Sequence, residues 1–134
     1  MNQGDPIDIL ARTMYGEARG EGTAGLQGVA NVVMNRVAKP RWWGKDVIGV
    51  CLKPFQFSCW NKDDPNLNII QNVERDNLIF NKAYEMATEA VQGALPDITD
   101  GATSYFAKGT PVPKWALGRR SCCEIGHHLF YKDA

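Results

Sequence analysis

LARTMYGEARGEGTAGLQGVANVVMNRV, residues 10–37, holds two helical periodicities separated by a short glycine-rich break, with Glu17 at the foot of the first. Just upstream, Asp5, Pro6 and Asp8 form a helix start: a side-chain oxygen for free N–H groups, a ring that presets φ, and negative charge in the first turn. Ile7, Leu10, Ala11, Met14 and Ala18 then recur at three- and four-residue spacing, which makes one face apolar, and Gly20 is read as the positive-φ stop. Glu17 therefore falls in the last turn, against the negative end of the helix dipole, where the ionised form is disfavoured. For a surface carboxylate this is a small defect; for a general acid it is useful.

The second run opens at Thr23, read as its N-cap, and carries Leu26, Val29, Ala30, Val33 and Val37 on one face until Pro40 ends it. Asn35 and Arg36 interrupt the apolar end as an amide and a cation suited to a helix C-terminus. Gly16, Gly20, Gly22, Gly25 and Gly28 would cost a helix about 1 kcal/mol each, so some of them serve a close helix approach or a backbone turn around Glu17.

Further along, residues 41–53 (RWWGKDVIGVCLK) read as a short helix and loop built on Val47, Ile48 and Val50. Trp42 and Trp43 cannot both face inward, so one enters the core and the other offers a ring outside, a surface that suits the C–H face of a sugar. In residues 54–68 (PFQFSCWNKDDPNLN) the aromatics alternate at Phe55 and Phe57, which predicts a short extended segment running into a polar loop. Gln56, Ser58, Asn61, Asp63 and Asp64 place hydrogen-bonding groups beside that aromatic surface, a composition shared by sugar-binding cleft walls and ordinary exposed loops. A long helix is predicted over residues 73–94, with Ile79, Phe80, Ala83, Ala87, Ala90, Val91 and Ala94 inward and Lys82, Glu85 and Glu89 outward. Residues 102–108 (ATSYFAK) and 122–132 (CCEIGHHLFYK) alternate as two extended pieces that pair like a β-hairpin.

With 134 residues, 44% of them hydrophobic, residues 1–134 are expected to form one domain whose core needs no disulfide. Lys plus Arg and Asp plus Glu both number 15, and this balance argues against nucleic acid as the main partner while admitting a neutral polymer such as a polysaccharide. No apolar run approaches the ~20 residues that span a bilayer, so no membrane insertion is expected. MNQGDPIDIL has neither a basic n-region nor an apolar h-region, and the chain is expected to be made as a soluble, monomeric cytosolic protein. No cofactor is called for. The four cysteines Cys51, Cys59, Cys122 and Cys123 do not fix the compartment. A zinc centre from Cys122, Cys123, His127 and His128 is disfavoured, because neighbours on a strand point to opposite faces. Cys59 with His127 or His128 would make a thiol peptidase or amidase, but no helix N-terminus is predicted at Cys59 to lower its pKa.

The run from Ala11 to Val37 resembles the signature of the SleB-type cell-wall hydrolases, also called spore-cortex-lytic enzymes, in which E-A-R-G-E precedes a helix ending in N-R-V. The likeness continues in order through PFQFSCW (54–60), GATSY (101–105), VPKWA (112–116) and IGHHLFY (125–131). It implies an α+β, mainly α, lysozyme-like domain with a small C-terminal β-hairpin, cutting peptidoglycan glycan strands between N-acetylmuramic acid and N-acetylglucosamine. The family's catalytic glutamate maps to Glu17. Trp43, Gln56, Phe57, Ser58, Tyr105 and Trp115 are the expected substrate-binding residues, with Glu21, Asn35 and His128 in support. The sequence departs from the pattern at Ser104, where relatives often carry histidine in an A-T-H-Y run. A hydrolase would add a second carboxylate, for which Glu21, Asp63 and Asp64 are candidates; a lytic transglycosylase needs only Glu17, and the resemblance leans that way. A peptidoglycan-binding module that holds glycan without cutting it is the alternative from another class. The lack of a visible export signal fits a phage or prophage endolysin, held in the host cytosol until a holin opens the membrane to the wall in the periplasm.

Overall fold

The computed structural model describes residues 1–132. Helices α1 (Pro6–Ala18), α2 (Gly22–Ala38), α3 (Val47–Leu52), α4 (Asn66–Asn72) and α5 (Leu78–Val91) precede a sheet of β1 (Ser104–Ala107), β2 (Cys123–Ile125) and β3 (His128–Tyr131). Asp5 starts α1 as expected, its carboxylate accepting the Ile7 N–H at 2.9 Å. The break between α1 and α2 differs in detail from the expectation. Gly22, at φ +76°, makes the positive-φ turn rather than Gly20, and Glu21 rather than Thr23 stands at the N-cap position, without a side-chain bond. Residues 19–21 alone must reverse the chain, and the bend lands where a missing Cβ permits it.

Ile9, Leu10 and Met14 of α1 pack with Leu26, Val29 and Val33 of α2 and with Phe80, Ala83 and Ala87 of α5. Helix α2 is buried on a second side too, where Val32 meets Ala102 and Phe130 beneath the sheet. Gly28 allows that approach, since a Cβ there would stand 2.8 Å from the Phe130 ring. A polar row at four-residue spacing fastens the next segment to the same helix. Gln27 and Asn31 donate to the Pro96 carbonyl, Asn31 accepts from the Ile98 N–H, and Asn35 donates to Asp97 and to the Ala102 carbonyl. This row hands the chain into β1 at a fixed place on α2.

The helix expected over residues 73–94 is shorter: α5 runs only from Leu78 to Val91, and a separate helix, α4, precedes it at Asn66–Asn72. Asn77 caps α5, accepting the Phe80 N–H at 3.0 Å, and this sets a register in which Phe80, Ala83, Ala87 and Ala90 face inward. Ile79, one position off that stripe, is 45% exposed, and Ala94 lies exposed beyond the helix end. Helix α4 was not predicted: its first three residues close the stretch read as a polar loop, and only Ile70 of it is buried. Arg12 holds it from α1: its Nη1 donates to the Ile70 and Val73 carbonyls at 2.6 and 2.9 Å, and its Nε to Asp8 at 3.1 Å. A buried guanidinium satisfied in this way closes the open C-terminal carbonyls of α4.

Residues 54–60 are not extended; they turn, with Phe55 at φ +65°, into a 3-10 turn at Ser58–Trp60. Trp60 Nε1 donates to Thr13 Oγ1 at 2.9 Å, which docks this turn on α1. The two expected extended pieces pair as read, but the second is itself a hairpin. Gly126, at φ +56°, splits it into β2 and β3, and β1 joins the far edge of β3 with Tyr105 opposite Phe130.

Candidate active site

Glu17, in the last turn of α1, is held by two elements far from it in sequence. Its Oε1 accepts the Tyr105 hydroxyl at 2.6 Å, from β1, and its Oε2 accepts the Cys59 N–H at 3.3 Å, from the 3-10 turn. The turn comes this close because Gly16 has no side chain: a Cβ there would lie 2.7 Å from Cys59 Cβ and 2.9 Å from Ile70 Cγ2. Tyr105 lies 4.9 Å from the His128 ring and 5.5 Å from that of Phe130. Burial first, and then the charge of Glu17, push its phenol well above the usual range, so it remains a donor.

Two cavities meet at Glu17. One, of about 360 Å³, is lined by Gly16, Ala18, Arg19, Glu21 and Asn66. The other, of about 150 Å³, is lined by Arg36, Gln56, Phe57, Ser58 and Tyr105. Through shared residues Arg36, Phe55, Gln56 and Tyr105 it adjoins a third, of about 290 Å³, with Trp42, Lys53, Ser104 and Trp115 around it. Glu17 thus stands partway along a groove that can take an extended ligand, with an aromatic arm on one side.

The expected residues fare differently. Tyr105, Gln56, Ser58 and Trp115 line the groove. Gln56 also braces it, donating from Nε2 to the carbonyls of Trp43 and Val50. Phe57 reaches the small cavity but is buried. Trp43 does not belong to the groove: it is 0% exposed, with Nε1 donating to the Arg36 carbonyl at 3.0 Å, and Trp42, 65% exposed, is the tryptophan at the rim. The sequence required one of the pair to face out, but no periodicity crosses this bend to say which.

Asn35 lies in the row that ties residues 96–103 to α2, away from Glu17. His128 backs Tyr105, and burial lowers its pKa below 6.5. Glu21 lines the far cavity but accepts from the His127 N–H and faces its ring Nδ1 at 3.2 Å; burial opposes and the His127 contacts produce the net lowering of its pKa. Asp64 accepts the Asn66 N–H at 2.8 Å in the turn that leads into α4, Asp63 is exposed, and neither lines the cavities that Glu17 lines.

Arg36 is the residue the sequence reading undervalued. Taken for a cation matching the helix dipole, it is buried beneath the groove, its Nε donating to the Thr103 carbonyl at 2.6 Å and its Nη2 to Ser104 Oγ at 3.4 Å. Ser104, at the position of the departure from the A-T-H-Y run, is thus a partner of Arg36. The thiol reading loses its basis here. Burial and the adjacent Glu17 push the Cys59 thiol far up, and burial pushes Cys51 up to about 12.

The cell wall hydrolase family matches residues 20–131, a span that opens just after Glu17. A spore cortex-lytic enzyme of Halalkalibacterium halodurans is 33% identical over 92% of this chain, and one of Bacillus subtilis 32% over 92%. This chain spans 34% and 36% of the lengths of those two proteins. Among solved structures, the catalytic domain of the Bacillus cereus SleB protein superposes with a TM-score of 0.75 at 29% identity, covering 95% of this chain and 89% of that one. The catalytic domain of the germination-specific lytic transglycosylase SleB from Bacillus anthracis gives 0.72 at 31% identity, covering 95% and 93%. The mainly helical α+β fold expected from the sequence is the fold of these catalytic domains, and the chain belongs to the cell wall hydrolase family.

Proposed function

We propose that this chain cleaves the glycan strand of peptidoglycan between N-acetylmuramic acid and N-acetylglucosamine as a lytic transglycosylase, with Glu17 as its acid and base. The observation that carries this is the position of Glu17 in the groove, oriented by Tyr105 and the Cys59 N–H. Glu17 gives a proton to the glycosidic oxygen as the bond to muramic C1 breaks. The 6-hydroxyl of the same muramic unit then bonds to C1 and returns its proton to Glu17, which leaves a 1,6-anhydro end and consumes no water. An intramolecular nucleophile has a high effective concentration, so one carboxylate suffices. Among the described residues no free second carboxylate lines the cavities at Glu17, which supports this over hydrolysis: Glu21 is engaged by His127, and Asp63 and Asp64 do not line those cavities.

Mass spectrometry of digested peptidoglycan tests the reading. Anhydro ends are expected; reducing ends would make the protein a muramidase, and no fragments would make it a binding module. Glu17→Gln should lower cleavage by roughly two to four orders of magnitude with the fold retained, whereas Asp63→Asn and Asp64→Asn should cost less than about tenfold. The finer reading is a monomer that reaches the wall from the cytosol of a phage host with a holin's help; among the described residues no helix is long and apolar enough to cross a membrane. Expression in a Gram-negative host should then lyse cells only after the inner membrane is permeabilised, and spontaneous lysis during growth would refute it.

A further inference from the structure

The aromatic arm of the groove holds a cation that, among the described residues, no carboxylate of the arm's lining faces. Arg36 is 7% exposed, and its Nη1 is enclosed with no hydrogen-bond partner among the described residues, although Nε and Nη2 are bonded. Its guanidinium lies 5.5 Å from the rings of both Trp43 and Phe57, an environment that supplies little acceptor capacity. Burial lowers its pKa to about 10, so at neutral pH it stays charged. Exposed Lys53 adds a second positive charge to the same cavity, and among the described residues no carboxylate lines it. Gln56, also on the lining, has its Oε1 buried and without a donor among the described residues.

A buried, partly bonded cation is costly unless an anion completes it. Trp42 and Trp115 meanwhile line the same cavity, and their aromatic surface suits a sugar. The geometry points to a subsite for a carboxylate-bearing sugar in this arm, with Arg36 taking the carboxylate, Lys53 reinforcing it and the tryptophans holding the ring. The inference rests on the glycan-cleaving reading and deepens it. Because carboxylate-bearing muramic units alternate with neutral ones, such a subsite sets the register of the strand, and hence which of its two kinds of linkage lies at Glu17. The carboxylate has two possible sources, the lactyl group of a peptide-free muramic unit or the stem peptide.

Glu17→Gln protein, able to bind but not to cut, allows a direct test by tryptophan fluorescence titration. The ligands are glycan strands stripped of stem peptides, the same strands with carboxylates converted to neutral amides, strands with stem peptides intact, and neutral chitin oligosaccharides. Amidated strands should bind about tenfold more weakly than their carboxylate parents, as loss of a hydrogen bond to a charged group predicts. Tighter binding of peptide-free strands assigns the lactyl carboxylate, and tighter binding of peptide-bearing strands assigns the stem peptide. Adding Arg36→Gln should erase the preference for carboxylate. Should that protein misfold, Lys53→Met on the surface should still reduce the preference about twofold and weaken its dependence on salt. Equal affinity for native and amidated strands would overturn the subsite while leaving the glycan reading standing. No binding to any of the four ligands would overturn both.

Discussion

Gly16→Ala separates packing from helix propensity at the one place where the fold touches the chemistry. Gly16 lies inside α1, and on propensity alone an alanine there should stabilise the helix by about 1 kcal/mol. The structure predicts the opposite sign. The new Cβ would stand 2.7 Å from Cys59 Cβ, 2.8 Å from Cys59 Sγ and 2.9 Å from Ile70 Cγ2. Two of these atoms are fixed close to the backbone of the 3-10 turn, so relief requires that turn and α4 to move off α1, at an overpacking cost of ~1–3 kcal/mol. After the propensity gain, a net loss of about 1 kcal/mol remains. The same movement lengthens the 3.3 Å bond from the Cys59 N–H to Glu17, and a misplacement of this kind should cost about tenfold or more in kcat/KM. The control is Gly20→Ala, where nothing lies within 4 Å of the new Cβ and φ is not positive. Urea unfolding midpoints and anhydro-product release should be measured for both variants. If Gly16→Ala is as stable and as active as Gly20→Ala, the account of how the turn is held against Glu17 is wrong.

Tyr105→Phe removes the 2.6 Å bond to Glu17 but keeps the ring contacts with His128 and Phe130, so kcat/KM should fall roughly tenfold to a hundredfold with the fold intact, as loss of a hydrogen bond to a charged group predicts; unchanged turnover would remove Tyr105 from the positioning of Glu17. His128 titrates below 6.5 when folded because it is buried, so the unfolded chain takes up its proton at higher pH. Its share of stability is therefore complete above about pH 6.5 and is lost as pH falls through the lowered folded value, and a His128→Gln variant should show a flatter stability profile between about pH 7.5 and 5. Parallel profiles for the two proteins would contradict the neutral, buried state of this histidine.

What the sequence determined by itself was local. The Asp5 cap and the three- and four-residue apolar spacing specify α1 and α2 and put Glu17 in a last turn, because these signals act between residues one or two turns apart. The glycine cluster likewise announced a close approach and a turn, and Gly16, Gly28 and Gly22 supply them. Helix α4 was illegible because it carries little apolar stripe of its own and is completed by Arg12, on another helix. The choice of Trp42 over Trp43 for the groove, the pairing of Tyr105 and the Cys59 N–H with Glu17, and the burial of Arg36 with one nitrogen unmet were settled only by tertiary packing. Each depends on which surfaces meet after α1, the 3-10 turn and β1 have closed on one another, and no periodicity within a segment carries that information.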